Sequence, residues 1–136
     1  VVSLTLDLEQ ASKDIGISQH KYLWDWLADH VAPGDVLLLE KFEFQKDKQD
    51  RDNLNYDAGE YVGVIRIWCD LNHVLCIMVS PSQKGKGENH FWNDDKLKRV
   101  ELWKGRSRHE RDAIRHLLNY LVFTLHDGSW LAKLKK

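Results

Sequence analysis

The chain has 136 residues, enough for one domain with a proper core, and its 43% hydrophobic and 30% charged residues are globular proportions that exclude disorder. No apolar run approaches the roughly 18 residues a membrane span requires, and the N-terminal VVSLTLDLEQ has neither the basic start nor the apolar stretch of a signal peptide. The net charge of −1 hides an asymmetry: residues 1–83 carry 7 Lys/Arg against 14 Asp/Glu, while residues 84–136 carry 13 against 7.

Two cysteines do not make a disulfide framework, so a reducing, intracellular compartment (cytoplasmic or nuclear) is expected. The expected organisation is a single domain over 1–136; the first residue, Val1, allows for a chain trimmed or cut from a longer protein.

Val2, Leu4 and Leu6 alternate with Val1, Ser3 and Thr5, which predicts a strand over 1–6. Asp7 suits the N-cap of a short helix that Gly16 ends. Ser18 can cap a second helix, about 19–31, in which Tyr22, Leu23, Trp26, Leu27 and Val31 recur at helical spacing before Pro33-Gly34 stops it. Asp35–Phe44 reads as a strand, and the polar run that follows as a mobile loop over about 45–58. Glu60–Cys69 and His73–Ser80 read as a hairpin across Asp70-Leu71-Asn72. A second mobile loop is expected over 81–90, and a further strand over Lys98–Trp103. The C-terminal helix opens with a Ser107-x-x-Glu110 capping box. Its apolar stripe runs through Ala113, Ile114, Leu117, Leu118, Leu121, Val122 and Leu125, and Gly128 closes it. The expected fold is α+β: an antiparallel sheet of four to five strands packed with two N-terminal helices and one long C-terminal helix.

Residues 7–28 carry a small residue, a turn glycine, an apolar residue and a serine opening a second helix, at Ser12, Gly16, Ile17 and Ser18. In this the segment resembles helix-turn-helix DNA-binding proteins, which implies that Gln19, His20 and Lys21 face base edges. The same residues also fit two capped helices meeting at a glycine corner. Residues 33–68 are similar to PUA-like domains: Gly34 and Asp35 precede an apolar strand, and Val62, Gly63 and Ile67 take the places of a second one. That resemblance implies a pocket for a modified base or structured RNA, with Trp68 or Trp92 as the stacking ring. Arg111–His116 (RDAIRH) fits the R-[NDH]-x-x-x-H pattern of HEPN ribonucleases, which implies that Arg111 and His116 activate a ribose hydroxyl.

Other chemistry is weakly represented. Cys69, His73 and Cys76 have a C-x3-H-x2-C spacing for which His90 is the near fourth zinc ligand, yet buried thiols on one hairpin face explain the cysteines more simply. The Asp-rich stretch 47–57 does not follow the calcium-loop pattern, KGKGEN is not a phosphate-binding loop, and no nucleophile turn is recognisable. No metal, cofactor or catalytic residue is therefore expected.

The regional charge carries the functional expectation. Arg108, Arg111, Arg115 and Asn119 are expected on one side of the C-terminal helix, away from the apolar stripe, with Lys104 and Arg106 leading in. Lys84, Lys86, Lys98 and Arg99 add to the basic region, Lys96 lies among them, and His90, Phe91 and Trp92 are interleaved as stacking rings. The reading is a non-enzymatic nucleic-acid-binding domain (DNA or RNA) using Lys84, Lys86, Trp92, Lys98, Arg99, Lys104, Arg106, Arg108, Arg111 and Arg115. The alternative is a protein-interaction or inhibitor module whose acidic N-terminal half meets a basic partner; the second alternative is an RNA-processing ribonuclease.

Overall fold

A computed structural model of the chain describes residues 8–41, 57–80 and 91–136. The expected strand over 1–6 and the loop over 81–90 lie outside these residues, as does all but the last part of the loop over 45–58. The protein is mixed helix and strand. Its elements among the described residues are α1 (Leu8–Ile15), α2 (Gln19–His30), β1 (Val36–Glu40), α3 (Asp57–Leu71), β2 (Leu75–Val79), α4 (Asp94–Arg99), α5 (Arg108–Asn119) with a π-helical turn (Tyr120–Thr124), and α6 (Ser129–Leu134). They form two compact units, one within Leu6–Met78 and one within Val79–Lys136.

In the first unit, the ends of α1 and α2 are set locally. Gly16 ends α1 at φ +75°, its N–H donating to Ser12 O at 2.9 Å, a left-handed position that glycine adopts without a Cβ clash. The Ser18 hydroxyl then accepts from Lys21 N at 3.1 Å and starts α2. At the far end Gly34 takes φ +90°, and the Asp35 carboxylate accepts from Ala32 N at 2.9 Å, so Ala32–Asp35 is a tight turn into β1.

The sheet differs from the expectation. It has two parallel strands, β1 beside β2, rather than four to five antiparallel ones. The reason is α3. Glu60–Cys69, expected as the first arm of a hairpin, is helical throughout, so the chain crosses over and enters β2 in the same direction as β1. VGVIRIW is rich in β-branched and aromatic residues and carries a glycine, so local preference favours a strand. Packing favours a helix. Tyr61, Val64, Ile65, Trp68 and Cys69 recur at i, i+3, i+4, i+7 and i+8, and all join the cluster built on Leu23 and Leu27 of α2. Asp70-Leu71-Asn72 is the end of that helix rather than a hairpin turn: Asn72 N donates to Trp68 O, and His73 reverses the chain at φ +56°.

In the second unit, Lys98–Trp103 is not a strand either. Asn93 caps α4, its side chain accepting from Lys96 N at 3.0 Å, and Leu102 N donates to Leu97 O at 2.8 Å as the helix closes. Leu97, Val100 and Leu102 are all buried, so a helix and its closing turn fill the core that an alternating strand was expected to fill. Both halves of the Ser107–Glu110 capping box are formed. The C-terminal helix is shorter than expected: α5 passes into the π-helical turn, where Leu125 N donates to Tyr120 O. Gly128 does not close that helix but precedes α6, whose Trp130, Leu131 and Leu134 pack on the core of Trp92, Leu97, Val100, Leu102, Ile114, Leu118 and Val122. The Asp127 carboxylate accepts from Ser129 N at 3.0 Å, a bond that lowers its pKa and anchors the start of α6. No helix among the described residues is long and apolar enough to cross a membrane.

Candidate nucleic-acid interface

The buried sector of α5 is rotated relative to the expected stripe. Ile114, Leu118 and Val122 are buried, Leu117 and Leu121 are half-buried, and Ala113 and Leu125 are exposed. Arg111 and Arg115 stand at i−7 and i−3 from Leu118, on the same helical line, so the rotation draws both into the interior edge.

Arg115 is therefore not a surface residue. It is 6% exposed; its Nε donates to Trp92 O at 2.8 Å, its Nη1 to Asp112 Oδ1 at 2.9 Å, and its Nη2 to the Asp94 carboxylate. The bonds to Trp92 O and Asp94 tie the start of α4 to α5, while the bond to Asp112 lies within α5. Trp92 is likewise a core side chain, 1% exposed, and Trp68 is 2% exposed, so neither ring has a face on which a base could stack. Both corrections have one cause: the aromatic ring fills the core while the guanidinium satisfies the backbone carbonyl beside it. Lys84 and Lys86 lie outside the described residues.

Two of the remaining basic residues, Lys98 and Arg111, lie against Trp103. The Lys98 Nζ lies 4.7 Å from its ring centroid and the Arg111 Cζ 4.9 Å, so the half-buried ring has two cations against it. Arg111 Nη1 donates to Arg106 O at 2.7 Å, which fixes the turn between Trp103 and α5. Arg106 is half-buried; Lys98, Lys104 and Arg108 are exposed. Arg99, also exposed, donates to Leu134 O at the end of α6. Elsewhere in the unit Lys96 sits 3.6 Å over Phe91 and Lys133 3.9 Å over Trp130. The rings of Phe91, Trp103 and Trp130 thus have long cationic side chains packed against them; of these rings only Phe91 was expected to stack on bases.

The acidic residues of this segment offset part of the positive charge and leave an excess of five. Residues 91–136 carry 11 Lys/Arg against 6 Asp/Glu. Asp94 and Asp112 are bound to Arg115, Glu110 to the capping box, and Asp127 to the start of α6.

The other sequence candidates fall elsewhere. Gln19 accepts from the Tyr61 hydroxyl, His20 Nε2 lies 2.8 Å from Glu60 Oε2, and Lys21 pairs with Asp25 at 2.7 Å. The residues that would read base edges thus meet α3 or their own helix. Val62, Gly63 and Ile67, the second strand implied by the PUA-like resemblance, lie in α3. Arg111 and His116, five apart on α5, are about 140° apart around the helix, and His116 is 5% exposed. Among the described residues no three His, Cys, Asp or Glu side chains are grouped to hold a metal.

Cys69 and Cys76 interact between α3 and β2; burial, with Cys76 beside it, pushes the Cys69 thiol up to about 11, and burial raises that of Cys76. The reactive species is the thiolate. At pH 8, alkylation of Cys69 is expected to be about a hundredfold slower in the folded than in the denatured chain. Equal rates would show that the thiol is not enclosed.

Comparison with known proteins finds no match: no family model, no curated protein and no solved structure matches the chain.

Proposed function

We propose that this protein binds nucleic acid through the basic surface around Trp103 in its second unit. The observation that supports this is the ring flanked by Lys98 and Arg111, with Lys104, Arg106 and Arg108 within five positions of it. Cations held against a ring lose less side-chain freedom when they meet a phosphate, so less of the contact energy is spent on ordering them. Since the cations occupy the ring, binding acts through the sugar–phosphate backbone and is broad in sequence.

The test is oligonucleotide binding across a salt series. Replacing Lys98, Lys104 and Arg108 together by Ala leaves the core untouched, because all three are exposed. The triple variant is expected to fold, to bind all sequences more weakly, and to flatten the log–log salt slope by up to about three units for duplex DNA. Unchanged affinity and slope would show that these cations are only solvated surface. If the parent chain binds no DNA or RNA at low salt, the reading fails, and a protein partner for the acidic N-terminal half takes its place.

A further inference from the structure

Independently of the nucleic-acid reading, we propose that Cys69 and Cys76 are a paired dithiol that a peroxide closes to an intrachain disulfide, with Cys76 the sulfur attacked first.

The fold of the first unit brings the two side chains together. Cys69 lies in the last turn of α3, and its backbone O accepts from Val74 N at 3.0 Å, so the chain doubles back at once. The left-handed His73, at φ +56°, makes that reversal. Val74 and Cys76 are two residues apart as the chain enters β2, hence on one face of it. Both join the cluster of Leu23, Leu27, Trp68 and Cys69. Cys76 therefore returns over the turn that carries Cys69, and the Cys69 S–H donates to the Cys76 sulfur.

The two thiols are not equivalent. Cys69 is fully enclosed, whereas Cys76 is half-buried and keeps a path to solvent. Burial raises both thiols, but at Cys76 the Cys69 S–H and the neighbouring Arg66 guanidinium work against the rise. The thiolate is the nucleophile, so an oxidant from solution meets Cys76 first. The Cys76 sulfur attacks the peroxide, the O–O bond breaks, and a sulfenic acid forms as hydroxide leaves and takes up the thiol proton as water. Cys69 then gives up its proton and attacks the Cys76 sulfur, and the displaced hydroxide takes that proton and departs as a second water. The two thiols lose two electrons and two protons, and one peroxide is reduced to two waters. The new bond ties the end of α3 to β2.

The folded full chain is treated with hydrogen peroxide and followed by intact mass, non-reducing electrophoresis and thermal melting. The expected product is monomeric, lighter by two hydrogens, and yields a Cys69–Cys76 linked peptide on digestion. Its melting temperature is expected to rise by several degrees, because the closed ring restricts the unfolded chain. Linkage between two chains, or a Cys76 sulfenic acid that accumulates without closing, would overturn the pairing. So would a melting temperature that does not rise, since the bond would then form against the fold rather than within it.

Dimedone, which traps sulfenic acids, tests the order of attack. Under peroxide, Cys69→Ala is expected to be labelled at Cys76, and Cys76→Ala at Cys69 at least about tenfold more slowly. Thermal melts confirm that both variants are folded. If Cys69→Ala is not, a brief peroxide pulse on the parent chain with dimedone present takes its place, with Cys76 expected to be labelled before Cys69. Equal labelling, faster labelling of Cys69, or none at Cys76 would overturn the assignment.

Discussion

Leu118→Ala is expected to lower stability by about 3–5 kcal/mol, while Leu117→Ala, one residue away, costs about 1–2 kcal/mol. Leu118 is fully enclosed, between Ile114 and Val122 on its own helix and within reach of the shared core of Trp92, Leu97, Val100 and Leu102. Truncating it removes the contacts of Cγ and both Cδ atoms and leaves a cavity that a helix pinned by a formed capping box cannot collapse to fill. Leu117 is half-buried, so water already solvates much of what Ala would expose. Chemical denaturation of the two variants separates the cases. Equal losses, or a larger loss at Leu117, would show that the buried sector of α5 is centred elsewhere.

Arg115→Ala is expected to cost about 2–4 kcal/mol. The guanidinium is the partner of a backbone carbonyl, Trp92 O, and of two carboxylates, and its stem packs inside the unit. The carbonyl matters most, since it loses its donor in a place water does not readily reach. The Asp94 contribution is smaller, because that side chain is 56% exposed and water screens the pair. Arg115→Lys is expected to recover little, as one ammonium cannot meet three acceptors spread around a planar fork. A loss below about 1 kcal/mol for Arg115→Ala, or full recovery by Lys, would show that the fork does not hold the two segments together. Replacing Arg108, Arg111 and Arg115 together would report on folding as much as on binding, which is why Lys98, Lys104 and Arg108 are the informative set.

What the sequence by itself determined was governed by contacts within a few residues. The Ser107–Glu110 box, the Ser18 cap, the left-handed Gly16 and the Pro33-Gly34 turn each involve bonds spanning five positions or fewer, so the residue types suffice to place them. The central residues of β1 and β2 are likewise legible as short apolar runs. The basic balance of the C-terminal half was also plain from composition.

Only the tertiary structure decided the state of 57–71. Its residues satisfy a strand by propensity and a helix by period, and the helix prevails because its apolar face has α2 to bury against. With that choice the sheet changes from antiparallel to parallel. Tertiary packing also decided which arginines face the solvent. Arg108, Arg111 and Arg115 are alike in sequence, but the acceptors that draw Arg115 inward, Trp92 O and Asp94, lie more than twenty residues away along the chain. No local pattern reports a partner at that separation. A charge is buried only where the fold brings acceptors to it, and that meeting is a property of the folded chain.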